Sequence, residues 1–388
     1  MPRHCAIKLG AGMLLLPLLV LFAARGASAV SLRDVLAVSQ RQGWAKHRAL
    51  LDQVDAAAGA APAAGGRLSF AEWVGQGDLP LRCLEAHERC LDAFDAHAAT
   101  MIQPAPRRTA EDAEKAIPLL VSLVRHWSAE GSEQRRGTVD RVLYAVRSYV
   151  LPRVPEGSKA RVLVPGSGLG RVAFEVAKLD AARIDLMAVE RDIASVLMLV
   201  FLLNGKGAAE PATRRYALYP ALHLANNWKD ATARFRPVWL PDVDTAGTHF
   251  ALAMGAFPER EGAVPRDVVV TSFFLDAGDP VDFIQGVHKV LSLARQEVWE
   301  QTCAADPRAG PDCAKGGKDV FWINDGPLVY PYADGNALLL AYDQVRDVML
   351  AVGFRFLEES VNKCEFEHLP GQMEKRDLMC FFFVATLA

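Results

Sequence analysis

Gly166, Gly168 and Gly170 punctuate the segment Val162 to Arg171, which reads as a short apolar strand, a glycine-rich turn and the start of a helix. Glycine permits the tight turn and lets a ligand lie against the backbone. No Gly-Lys-Ser/Thr follows, which excludes a P-loop, and the spacing is GxGxG rather than the GxGxxG of a dinucleotide site. Glu190 closes the next apolar run, 24 residues after Gly166. A carboxylate there can accept hydrogen bonds from ribose hydroxyls; the plainer reading is a solvated acid at a strand end. Gly255-Ala256-Phe257 follows a third run and could flank an adenine ring, although Phe257 fits a core position nearly as well. Asp276 ends Ser272-Phe273-Phe274-Leu275-Asp276, just past a fourth run. Ligands of open α/β sheets bind outside the carboxyl ends of the strands, so this acid would face a reacting centre. Its competing reading is an N-cap for the helix that begins at Pro280-Val281.

These residues need a sheet to position them. Short apolar runs at 161–165, 184–189, 249–254, 267–275 and 320–324 alternate with helical segments at 172–179, 193–203 and 281–293. Strands alternating with helices imply parallel pairing, and near-continuous apolar strands fit a sheet buried on both faces. A helix over 337–352 carries Val345, Val348, Met349 and Val352 on one face and ends at Gly353. Two strands follow, 354–358 and 378–386, with no crossover helix between them, so they pair antiparallel. Five parallel strands with a terminal antiparallel hairpin make a Rossmann-like sheet of the methyltransferase type, whereas a dinucleotide dehydrogenase would continue βαβ. Before this domain, which spans 111–388, the chain reads as a helical N-terminal region over 30–110. That region has helices at 31–55 and 81–101 and a small-residue linker at 56–66. Further helices are expected at 111–129 and 135–150.

Residues 1–29 have the layout of a secretory leader: Arg3, His4 and Lys8, then an apolar run from Ala11 to Ala24, then Ala27-Ser28-Ala29. The run is shorter than the ~20 residues a membrane helix needs, so no stable span is expected. A leader would send the chain to the secretory pathway; an uncleaved anchor, an organelle-targeting leader or the cytosol are the alternatives. Of seven cysteines, Cys5 would leave with the leader. Cys83/Cys90 and Cys303/Cys313 are close enough in sequence to close small loops, against ordinary reduced thiols. No CxxC, HxH or HExxH occurs, so no metal site is expected. A net charge of −3 offers nothing to nucleic acid. A homodimer is left open.

Several segments together resemble the carnosine N-methyltransferase family: Val124-Arg125-His126-Trp127-Ser128, Val162 to Arg171, Tyr216 to Pro220, Arg236-Pro237 with Pro241-Asp242-Val243-Asp244, Ser272 to Asp276, and Trp322 to Tyr330. They cover about residues 110–388 in the family's order. The resemblance implies transfer of methyl from S-adenosylmethionine (SAM) to an imidazole nitrogen of a histidine-containing dipeptide such as carnosine. It matches Arg125, Gly166, Glu190, Phe257 and Ser272 to SAM contacts, joined by Gly168 and Gly170 of the turn, and Asp276 to the acidic substrate residue. Tyr330 is taken with Asp276 as the second candidate catalytic side chain. The chain departs from the family pattern at Ser122 (usually Gln), Ala256 (usually Asp), Pro331 (usually His) and Arg376-Asp377-Leu378 (usually a run of tyrosines). It also carries an insertion over about 296–318. SAM binding therefore carries over more fully than carnosine binding. The alternatives are a methyltransferase with another small-amine or protein-histidine acceptor, and a catalytically silent SAM-binding protein.

Overall fold

The computed structural model describes residues 7–8, 110–204, 216–223, 227–229, 233–302, 318–331, 338–369 and 371–388. The expected leader, the helices at 31–55 and 81–101, the linker at 56–66 and the pairs Cys83/Cys90 and Cys303/Cys313 lie outside these residues, apart from Ile7–Lys8.

An eight-stranded sheet organises the chain. Its strands are β1 (Ile7–Lys8), β2 (Ala160–Pro165), β3 (Ile184–Glu190), β6 (Ala251–Met254), β7 (Val268–Ser272), β8 (Phe321–Gly326), β9 (Phe354–Glu367) and β10 (Arg376–Leu387), in the order β1-β6-β3-β2-β7-β8-β10-β9. β6, β3, β2, β7 and β8 run parallel, β10 runs against β8 and β9, and β1 pairs antiparallel with β6. The chain moves outward from β2 to β3 and β6, then crosses back to β7 on the other side of β2. The carboxyl end of β2 is therefore the topological switch point, where such sheets open a crevice. β4 (Tyr216–Leu218) and β5 (Val238–Leu240) form a separate small antiparallel pair.

Alternation along the strands divides the core. Val162, Val164, Leu186, Val268, Val270 and Ile323 pack on one face, with helices α1 (Ala110–Trp127), α2 (Ser132–Ala145), α3 (Arg171–Leu179) and α4 (Ile193–Asn204). Leu163, Val189, Val269, Trp322 and Phe383 pack on the other, with α5 (Pro280–Thr302) and α6 (Tyr342–Val352). α4 is apolar nearly all round, and every residue from Val196 to Leu202 is buried, as a helix of that composition requires. Its Phe201 meets Tyr216 of β4 with ring centroids 4.5 Å apart, so the small sheet covers α4. Among the described residues, no helix is long and apolar enough to cross a membrane.

Several expected boundaries moved for physical reasons. β7 stops at Ser272 because Phe273 takes φ +52°. α6 begins at Tyr342 rather than 337, since Ala341 is extended at ψ 164° and Leu340 is tied to the Tyr330 hydroxyl. The helix expected over 135–150 runs from Ser132 to Ala145 and continues as a π-turn, Val146–Val150. β9 extends to Glu367, nine residues past the expected end, paired along its length with β10. A disulfide joins Cys364 and Cys380 across these two strands; neither cysteine was in an expected pair.

Candidate active site

The glycine turn sits at the switch point, and its backbone explains its sequence. Gly166 has φ +59°, and a Cβ there would fall 1.9 Å from the Phe274 ring. Gly170, the residue before α3, has φ +70°, and a Cβ would collide with Leu199 at 2.5 Å. Both positions therefore need glycine for conformation and for space. Gly168 differs: at φ +53° a Cβ would meet nothing within 4 Å, so its bare backbone faces the side on which a ligand would lie.

Glu190 is the partner of that turn. It is buried, its Oε2 accepts the Gly168 N–H at 2.7 Å, and its Oε1 accepts the N–H groups of Arg191 and Asp192, each at 2.8 Å. This is not a solvated strand-end acid. Two carboxylate oxygens offer about four acceptor positions, and three are used, so capacity remains for a ribose hydroxyl. Ser167 Oγ is buried without a hydrogen-bond partner. A carboxylate with remaining capacity, an orphaned hydroxyl and an unobstructed glycine suit the ribose and amino-acid groups of SAM.

The end of α1 caps the turn. Trp127 is fully buried, and its Nε1 donates to Leu169 O at 2.8 Å. Asp242 locks this cap: its N–H donates to Trp127 O at 2.9 Å, its Oδ1 accepts from Arg171 Nη1 at 2.6 Å and its Oδ2 accepts from Arg135. One residue, through its backbone N–H and its carboxylate, thus ties α1, α2 and the start of α3 together. The Arg135 guanidinium is held below its usual pKa by burial and by the neighbouring Arg171, with Asp242 opposing.

Arg125 lies at the other rim. Its guanidinium sits 5.4 Å from the Phe273 ring and 4.7 Å from the Phe366 ring, and these two rings stack 5.7 Å apart. Phe273 directly follows Ser272, so Arg125 and Ser272 share the carboxyl end of β7. Next to Arg125, His126 is held well below the usual imidazole pKa, first by burial and then by Arg125, Arg135 and Arg171.

Asp276 and Tyr330 are brought together. Asp276 is buried, and its Oδ2 accepts the N–H groups of Val329 at 2.5 Å and Tyr330 at 3.1 Å. It does not cap the following helix; Asp279 does, accepting the N–H groups of Val281 and Asp282. Tyr330 has φ +50°, and its hydroxyl donates to Leu340 O at 2.8 Å and accepts the Leu340 N–H at 3.1 Å. Burial and the nearby Asp276 and Asp279 push its phenol pKa up. Asp276 therefore anchors the segment after β8, and Tyr330 closes its neck.

Phe257 packs as a core residue. It is 7% exposed, lies edge-on to Phe283 with centroids 5.4 Å apart, and belongs to the core on the α5 face. Three side-chain pairings were not foreseen. Arg141 grips the fully buried Asp325 by a fork, Nε to Oδ1 at 3.1 Å and Nη2 to Oδ2 at 2.8 Å, and Asp325 O accepts the Phe273 N–H. Burial pushes the Asp325 carboxyl up, and Arg141 opposes it. At the head of β10, where the family resemblance called for tyrosines, Arg376 lies 5.4 Å from the Phe366 ring and Asp377 pairs with Lys363 at 2.7 Å.

Comparison with known proteins gives the family. The family described as carnosine N-methyltransferase matches residues 103–301, over half of the chain. Curated relatives include the carnosine N-methyltransferase of Rattus norvegicus, 28% identical over 63% of this chain and 55% of its own length. Others are carnosine N-methyltransferase unmet of Drosophila melanogaster, 28% identical over 70% and 54%, and the Dictyostelium discoideum enzyme, 25% identical over 68% and 52%. The chain thus spans about half the length of these relatives. Similar solved structures include a SAM dependent methyltransferase from Aquifex aeolicus, 12% identical over 71% of this chain and 98% of that one, at a TM-score of 0.35. That likeness is too distant to add to the topology described above. With a matched segment running from before α1 through the glycine turn, Glu190 and Asp276 into α5, the chain belongs to the carnosine N-methyltransferase family.

Proposed function

We propose that the chain is a SAM-dependent N-methyltransferase acting on an imidazole nitrogen of a small histidine-containing dipeptide such as carnosine. The observation that carries this is the Glu190 carboxylate held against Gly168 at the switch point, with acceptor capacity left over. SAM would supply a methyl on a sulfonium, which needs no metal and no covalent enzyme intermediate. Glu190 would hold the ribose, Ser167 and the Gly168 backbone would line the path beside it, and Arg125 would stand at the far rim.

The protein's task is then orientation. A free imidazole has a pKa near ~6.5 and is largely neutral at neutral pH, so a strong base is unnecessary. Correct placement can itself contribute as much as ~7–11 kcal/mol. Both backbone bonds to Asp276 fall on Oδ2. In this reading Oδ1 accepts the ring N–H of the acceptor and leaves the other ring nitrogen's lone pair toward the methyl.

A second reading is favoured by one observation. The head of β10 carries Arg376 over Phe366 and an Asp377–Lys363 pair instead of a tyrosine run. A charged rim of that kind suits a different small amine or a protein histidine. The test is product mass after incubation with SAM and carnosine. A gain of one methyl on the imidazole supports the dipeptide reading. No product from a chain that still binds SAM moves the assignment to another acceptor.

A further inference from the structure

Two neutral side-chain atoms among the described residues are buried without a hydrogen-bond partner, His126 Nδ1 and Ser167 Oγ. They belong to segments that meet at the glycine turn. Ser167 lies inside the turn. His126 precedes Trp127, which donates to Leu169 O, and its own carbonyl accepts from Arg171 Nη1 at 2.8 Å.

The hydrogen bonding of His126 fixes which nitrogen carries its proton. Nε2 accepts from Arg125 Nε at 3.4 Å, so in the neutral ring the proton resides on Nδ1. His126 thus presents a buried N–H with no acceptor in the protein, and such groups call for an explanation. Of the three guanidiniums around it, Arg135 and Arg171 pair with Asp242, Arg171 also with Glu175, and Arg125 Nη1 donates to Phe366 O at 3.3 Å. Arg125 lies beside the imidazole at the rim over Phe273. A ligand group that fits must accept a hydrogen bond and tolerate positive charge, which describes a carboxylate.

Topology indicates which end of the co-substrate this is. Glu190 ends β3, on one side of β2, and takes the ribose. Arg125 stands over the residue after β7, on the opposite side of β2. A ligand crossing the switch point from Glu190 brings its amino-acid arm to α1.

We propose that His126 donates through Nδ1 to the methionyl carboxylate of SAM, with Ser167 as a second donor and Arg125 as the counter-charge. This rests on the methyltransferase reading above. His126 is a binding residue with a proton to give, rather than a base.

The experiment is isothermal titration with two probes, S-adenosylhomocysteine and 5′-methylthioadenosine, which lacks the amino-acid arm. The proteins are the unsubstituted chain, His126→Phe and His126→Asn, whose amide N–H can stand in for Nδ1–H. His126→Phe is expected to weaken S-adenosylhomocysteine by ~10-fold or more, the scale of a hydrogen bond to a charged group, with 5′-methylthioadenosine unchanged. His126→Asn should restore affinity to within ~3-fold. Unchanged S-adenosylhomocysteine affinity in His126→Phe, an equal loss for both probes, or an Asn variant as weak as the Phe variant would each overturn the proposal. If His126→Phe does not fold, Ser167→Ala carries the same two-probe test, with a loss of ~3-fold or more confined to S-adenosylhomocysteine expected and no loss overturning it. An unsubstituted chain that binds neither probe overturns the methyltransferase reading and this proposal with it; binding that no variant disturbs overturns this proposal alone.

Discussion

Oε2 of Glu190 accepts the Gly168 N–H at 2.7 Å, which makes the acid that ends β3 and the middle of the glycine turn a single unit. Replacing Glu190 with Ala removes a ribose acceptor and also releases the N–H groups of Arg191 and Asp192. Hydrogen bonds to charged groups contribute about 1.5–3 kcal/mol. Affinity for S-adenosylhomocysteine should therefore fall at least ~10-fold, as read by titration calorimetry, with the far-ultraviolet circular dichroism unchanged. Retention of full affinity would remove Glu190 from the site.

Asp276 gives a different signature because its partners lie after β8 and not in the turn. Asp276→Ala should bind S-adenosylhomocysteine within a few-fold of the unsubstituted chain while turnover drops by ~10² or more, the range for loss of a positioned proton-bonding group. Single-turnover methyl transfer with saturating SAM separates the two quantities. A variant that binds normally and keeps full activity would show that Asp276 is only an anchor for Val329 and Tyr330.

The parallel strands and the glycine turn were legible in the sequence because both leave local signals. Strands buried on two faces read as unbroken apolar runs, as Val162 to Val164 and Val268 to Val270 do. A positive φ three times in five residues demands glycine at 166, 168 and 170. β9 was cut short because Glu359, Ser360, Asn362 and Lys363 look like a loop. Its backbone pairs with β10 regardless of side chain, and the exposed Val361 shows that much of this face meets solvent. The Cys364–Cys380 disulfide was hidden for the same reason, since an expected hairpin ending at 358 left Cys364 in a connection. Arg141–Asp325 and the Asp242 junction join residues 184 and 71 to 107 positions apart, and no periodicity reports such contacts. The PDVD segment signalled that Asp242 matters, while its role as the knot under the site is visible only in three dimensions.

That knot predicts a stability effect larger than any single surface charge would give. Arg171 and Arg135 side chains are 4% and 10% exposed; Asp242 pairs with both, and it is the acid that Arg135 pairs with, while Arg171 also holds Glu175 at 2.9 Å. Removing one partner of a buried ion pair costs about 3–5 kcal/mol, because the remaining charge stays desolvated. Asp242→Ala should lose stability on that scale in urea denaturation, and Asp242→Asn less, since its amide oxygen can still accept one bond. A loss below ~1 kcal/mol in the Ala variant would mean that Glu175 suffices for Arg171 and that water reaches Arg135.

His126 and His288 make stability depend on pH in the same direction. Burial holds each below the usual imidazole pKa, reinforced by Arg125, Arg135 and Arg171 for His126 and by Arg295 for His288. The unfolded chain takes up protons near pH ~6.5 that the folded chain refuses, so their contribution is complete above that pH and is lost as pH falls through it. Asp267, held low despite burial by its bonds to Arg161 and Lys318, adds a loss of the same sign only in the carboxylate range near ~4. Asp325, pushed up by burial, acts in the opposite sense at acid pH. The histidine contribution is isolated by comparing the melting temperature of the unsubstituted chain with that of His126→Asn from about pH 7.5 to about pH 5.5. The unsubstituted chain should lose the more on acidification, and the two curves should converge toward the acid end. Parallel curves would show that His126 is free to protonate in the folded protein.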